Sequence, residues 1–81
     1  MIDELKSRKA IVGLKKSLKL ISSGKAEKAF IAGDIAPPIT KEILDACKLN
    51  GVMVELVSSK HELGKACRID VDASVAVIAK E

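Results

Sequence analysis

The 81-residue sequence predicts an α/β fold, a three-layer α/β/α sandwich in which helices cover both faces of a four-stranded mixed sheet. Three observations point there. Short continuous apolar runs recur at 28–33, 52–57 and 74–79, each bounded by charge, glycine or serine, as buried strands are. Between them lie stretches with apolar residues three and four apart, the period of a helix with one covered face. The two kinds alternate along the whole chain, the pattern that places helices on both sides of a sheet. The pairing order of the strands stays open at this level.

In chain order, residues 3–9 (Asp3 to Lys9) read as a short polar helix, and Ile11-Val12 as a stub strand. Gly13 then opens a helix running to about Ser23. Leu14, Ser17, Leu18 and Ile21 share one of its faces, and Lys15, Lys16 and Lys19 occupy another. Gly24 stands where a glycine ends a helix. Lys28 to Gly33 is a buried strand. Asp34-Ile35-Ala36-Pro37-Pro38 leads to the next helix, because a proline in the first turn costs no hydrogen bond.

That helix spans about Pro38 to Leu49, with Ile39, Ile43, Ala46 and Cys47 facing inward, and Asn50-Gly51 ends it. Val52–Val57 is expected to be a mostly buried strand. Ser59-Lys60-His61-Glu62 has the spacing of a capping box, serine at the cap and glutamate three residues on. The helix it starts turns Leu63, Ala66 and Cys67 inward. Gly64 inside it costs about 1 kcal/mol relative to alanine, which a close helix–sheet contact would justify. Arg68-Ile69-Asp70-Val71-Asp72 is an exposed loop, and Ser74–Ala79 the last strand. The chain is a single domain, 1–81, without repeats or linkers.

Composition narrows the function. Lys and Arg outnumber Asp and Glu by 14 to 11, a net charge of +3. The excess sits in the first third, where Lys6, Arg8, Lys9, Lys15, Lys16, Lys19, Lys25 and Lys28 face only Asp3, Glu4 and Glu27. Such clustering is the electrostatic footprint of a nucleic-acid binder. One Phe and no Trp or Tyr leave no stacking platform for single-stranded bases. No Walker or dinucleotide motif follows a strand, no carboxylates pair as acid and base, and no Ser/His/Asp set is spaced for catalysis, so an enzyme is not expected. Cys47 and Cys67 read as buried, reduced thiols of a cytoplasmic protein. No cluster has metal-ligand spacing, and neither a cofactor nor a membrane partner is expected.

The mouth of the lysine helix is the most informative stretch. A helix start offers free N–H groups and partial positive charge, so two lysines in its first turn oppose the dipole. They are either solvated surface charges or groups that await an anion. Amide N–H groups, a glycine that admits close approach and nearby ammonium groups suit phosphates and guanine edges.

Three segments together resemble one family. Gly13-Leu14-Lys15-Lys16-Ser17-Leu18-Lys19, Ser59-Lys60-His61-Glu62-Leu63-Gly64-Lys65-Ala66-Cys67 and Ile69-Asp70-Val71 are similar, in order and spacing, to the kink-turn-binding ribosomal proteins typified by L-seven-Ae and L-thirty-e. Within that family the short bacterial YbxF-like branch is most similar. The resemblance implies the same sandwich and a ribosome-associated monomer. It also implies that the protein grips a kink-turn, a sharply bent duplex with tandem sheared G·A pairs, in ribosomal RNA, a riboswitch or a similar RNA.

By position the resemblance also implies roles. Gly13 lets the backbone approach the RNA, Lys15 and Lys16 face guanine edges, and Lys19 and Lys60 hold phosphates. Ile69 and Val71 lie against bases displaced at the kink, and Arg68, a departure from the family pattern, either stiffens that loop or adds a phosphate contact. Archaeal members typically carry Asn-Glu where this chain has Lys15-Lys16, and among relatives glycine is common at the Arg68 position and glutamate at the Ala36 position. Lysine cannot accept from guanine N–H groups but can donate to O6 and N7, so base contacts shift rather than vanish. The competing readings are a nonspecific binder of structured RNA and a protein-interaction or assembly module on the same fold.

Overall fold

The computed structural model describes residues 10–80, and the helix expected over residues 3–9 lies outside them. The elements are β1 (Ala10–Val12), α1 (Leu14–Ser22), β2 (Ala26–Ala32), α2 (Pro37–Asn50), β3 (Met53–Val57), α3 (Lys60–Ala66) and β4 (Val75–Ala79). The strands form one mixed sheet in the order β1-β4-β2-β3. β4 pairs antiparallel with both β1 and β2, while β2 pairs parallel with β3. The two central strands are the most buried ones, as a sheet covered on both faces requires.

Side chains alternate across the sheet and build a core on each face. Ala29 and Ile31 of β2 and Val75 and Val77 of β4 meet Ile21 of α1 and Ile43 and Cys47 of α2. Their neighbours Phe30, Ala32, Ala76 and Ile78 point the other way and meet Leu63 and Ala66 of α3. The expected inward faces hold. Ser17 and Ile21 are buried on α1, and Ile43 and Cys47 on α2.

The helix ends follow from local chemistry. At the end of α1, Gly24 (φ 76°) donates to the Ile21 carbonyl and Lys25 to the Leu20 carbonyl, both at 3.1 Å. These two bonds and the left-handed glycine form a Schellman motif. Two prolines open α2, and left-handed Gly51 (φ 66°) closes it. Ser59 Oγ accepts from the Glu62 N–H at 3.1 Å, so the serine cap of α3 is formed.

Three expectations need correction. β3 is an edge strand, not a mostly buried one: Met53 and Leu56 are 68% and 65% exposed, because β3 has a neighbour only on its β2 side. Cys67 is half-buried rather than buried, since it caps the end of α3 where the chain turns outward. Gly64 does make a close contact, but with the loop after α3 and not with the sheet. A Cβ there would collide with the Val71 carbonyl oxygen.

Candidate nucleic-acid interface

Four connections gather at one end of the sheet: the β1–α1 turn at Gly13, residues 33–36 between β2 and α2, residues 58–59 before α3, and residues 67–74 between α3 and β4. Backbone bonds join them. Gly13 N–H donates to Val75 O at 3.2 Å, so the mouth of α1 touches the strand that the last loop feeds. Ala32 N–H donates to Ser74 O at 3.0 Å, and Gly33 N–H to Val57 O at 2.7 Å. These bonds run between strands that lie side by side, and therefore bring all four connections to a common edge.

Gly13 precedes α1 with φ 116° and ψ 147°, a backbone region that only glycine enters freely. Nothing lies within 4 Å of where its Cβ would be. Backbone geometry rather than crowding selects glycine here, and the space outside it is open to an approaching chain. α1 carries no acid in its first turn. Lys15, Lys16 and Lys19 are exposed, and among the described residues none of them makes an ion pair. Lys15 and Lys19, four apart, stand one turn above the other. The result is a helix start whose positive end and ammonium groups are neutralised by nothing described.

Beneath the lysines, Ser17 is fully buried, and its hydroxyl has no hydrogen-bond partner among the described residues. Its spacing marks it as core-facing, but nothing in the sequence marks the hydroxyl as orphaned.

The 67–74 loop divides its two apolar residues. Ile69 is half-buried and packs on the α3-side core, whereas Val71 is 69% exposed. The expectation of a loop with both apolar residues exposed is therefore corrected for Ile69. Its N–H donates to Gly64 O at 3.2 Å, which draws it inward. Arg68 is exposed and has φ 61°, the one non-glycine with positive φ among the described residues. This strained position is the one where relatives were expected to carry glycine.

Lys60 is half-buried at the start of α3. Its N–H donates to Asp34 Oδ1 at 2.8 Å, a contact that sequence reasoning missed because its partners are 26 residues apart. Chemistry of other kinds is sparse. Among the described residues no group of three or more His, Cys, Asp or Glu could hold a metal ion, and no helix is long and apolar enough to cross a membrane. Burial pushes both the Cys47 and Cys67 thiols up from their ordinary pKa, away from the thiolate a nucleophile needs.

The sequence pattern of the ribosomal protein L7Ae/L30e/S12e/Gadd45 family matches residues 3–81. The chain belongs to this family. An RNA-binding protein of Geobacillus sp. (strain WCH70) is 36% identical over 76 residues, which cover 94% of this chain and 93% of that protein. The RNA-binding protein YbxF of Geobacillus stearothermophilus is 32% identical over the same shares of the two chains. Among solved structures, the Giardia lamblia 15.5kD RNA binding protein superposes with a TM-score of 0.82 at 34% identity, covering 99% of this chain and 68% of that one. A protein of unknown function from Bacillus halodurans C, at 20% identity and a TM-score of 0.81, shares the fold. Like these family members named for RNA binding, the chain is not an enzyme.

Proposed function

We propose that this family member binds structured RNA, and that its target is a kink-turn. The observation that carries the reading is the hydrogen bond of Gly13 to Val75, which joins the mouth of α1, whose lysines have no ion-pair partner among the described residues, to the strand that the 67–74 loop feeds. A bent duplex crowds its phosphates, so cations near the bend relieve repulsion and release counterions. Bases displaced at the bend expose apolar faces that Val71 and Ile69 can cover. Shape and a few base-edge bonds then supply selectivity. In this reading Lys15 and Lys16 donate to guanine edges, Lys19, Lys60 and Arg68 hold phosphates, and the ribosome or a riboswitch supplies the RNA. Two free thiols fit a reducing, cytoplasmic setting.

Fluorescence titration against a kink-turn and the same RNA with its G·A pairs replaced tests the proposal. Preference for the intact kink-turn supports it, and equal binding reduces it to a nonspecific RNA binder. A salt-insensitive protein partner with no response to either RNA would favour an assembly module instead. Lys15→Ala should mainly erode the preference, since a base-edge contact carries about 1–3 kcal/mol of discrimination. Lys19→Ala should weaken both RNAs alike and lower the slope of affinity against salt by about 1. Identical effects of the two substitutions would reject that division of roles.

A further inference from the structure

The main chain of Lys60 is a junction between two loops. Its N–H donates to Asp34 Oδ1 at 2.8 Å, and its carbonyl accepts from the Ala73 N–H at 3.1 Å. The first bond holds the β2–α2 connection, and the second holds the end of the α3–β4 loop. Ser59 Oγ caps α3 at the Glu62 N–H, and Asp34 accepts from a second free N–H of the same first turn, that of Lys60. Asp34 is exposed and belongs to neither core cluster.

A second pin holds the same loop one turn further along. Val71 lies so near Gly64 that any side chain there would displace its carbonyl, and Ile69 N–H donates to Gly64 O at 3.2 Å. The loop thus lies directly on the helix backbone, at both ends of α3. Seven residues of helix therefore fix the places of two loops that are distant in sequence.

We infer that α3 is a splint, and that Asp34 and Gly64 are positioning residues that hold Ile35-Ala36 and Ile69–Val71 at a set separation. The inference rests on the RNA reading above. Neither residue touches RNA in this account; each acts through the loop it fixes. Loops ordered beforehand lose little freedom on binding, so the splint contributes to affinity for the one shape it matches. A straight duplex, met chiefly by lysines, gains nothing from it.

Amide hydrogen exchange on the free protein, together with titration of a kink-turn and a straight duplex, tests this with Asp34→Ala and Asp34→Asn. Both substitutions remove the carboxylate charge, but only asparagine keeps an oxygen that accepts from Lys60. Asp34→Ala should speed exchange at Lys60 and Ala73 and weaken the kink-turn by about five- to tenfold, leaving the straight duplex and the salt slope as in the wild type. Asp34→Asn should restore both. Unchanged exchange at Lys60 in Asp34→Ala, equal losses for the two RNAs, or failure of asparagine to rescue would overturn the splint. Gly64→Ala should displace the loop and cut kink-turn affinity further, but it also threatens the fold, so the Asp34 pair decides. A wild type indifferent to the kink-turn would count against the RNA reading, whereas the exchange measurement judges the splint without RNA.

Discussion

The two ends of the sheet are built on different plans. At the end opposite the candidate interface, the chain turns within a few residues and closes on itself. Gly24 and Lys25 bond back to Ile21 and Leu20, and Val52 N–H returns to Cys47 O at 2.8 Å. At the interface end two of the four connections, 33–36 and 67–74, are longer, and the chain there is held by partners distant in sequence, Gly13 by Val75, Ala32 by Ser74 and Lys60 by Asp34. The first plan makes turns that satisfy helix ends and need nothing else. The second keeps backbone exposed and leaves its shape dependent on the rest of the fold, as binding loops on a rigid scaffold do.

Two glycines put that contrast to the sharpest test. Gly13 and Gly24 both have positive φ, at 116° and 76°, and an added Cβ at either meets nothing within 4 Å. Alanine therefore costs conformational energy alone, about 1–3 kcal/mol at Gly13 and about 1–2 kcal/mol at Gly24. Both variants should lower the urea midpoint. RNA titration should separate them: Gly24→Ala binds as the wild type, while Gly13→Ala loses about tenfold more affinity than its stability explains, a loss of about 1.4 kcal/mol. Equal effects on RNA would erase the distinction between the ends.

The same contrast explains what was legible in the sequence. Gly24, Asn50-Gly51 and the Ser59–Glu62 box were readable because each motif satisfies its backbone within one helix turn. So were the buried faces of α1 and α2, whose period of 3.6 is local too. What escaped is non-local. Leu56 and Met53 are as apolar as central-strand residues, and only the pairing order places them on an edge. Gly64 announced a close contact but pointed to the sheet as its partner, which proved to be Val71 in the following loop. Asp34 resembled any acid in a loop before prolines. At the interface, residue types pointed to cations and an apolar loop, but the junction that brings Gly13 to Val75 depends on β1 and β4 being neighbours.

A smaller effect is expected beneath the lysine cluster. Ser17 buries a hydroxyl with no partner among the described residues, a group whose desolvation is returned by no hydrogen bond. Ser17→Ala should therefore stabilise the domain by about 1 kcal/mol, raising the melting temperature by about 4–8 °C for a chain of this size. Affinity for RNA should stay as it is, since the side chain faces inward. A lower melting temperature would mean that the hydroxyl is satisfied by the fold and that the strain at this end resides wholly in the loops.

The smallest stability change should come from Arg68, where two consequences pull apart. An L-residue at φ 61° costs about 1–2 kcal/mol, and glycine gives back about 0.5–1 kcal/mol through the freedom it adds to the unfolded chain. Arg68→Gly should thus gain only about 0.5 kcal/mol, at the edge of what denaturation resolves. Its effect on RNA should be plainer. If the guanidinium holds a phosphate, the variant weakens binding and flattens the salt dependence by about one counterion. A more stable protein that binds RNA less well is the signature of strain retained for function. A more stable protein with unchanged salt dependence would instead make Arg68 a bystander, and the loop would owe its part in recognition to Val71 and Ile69 alone.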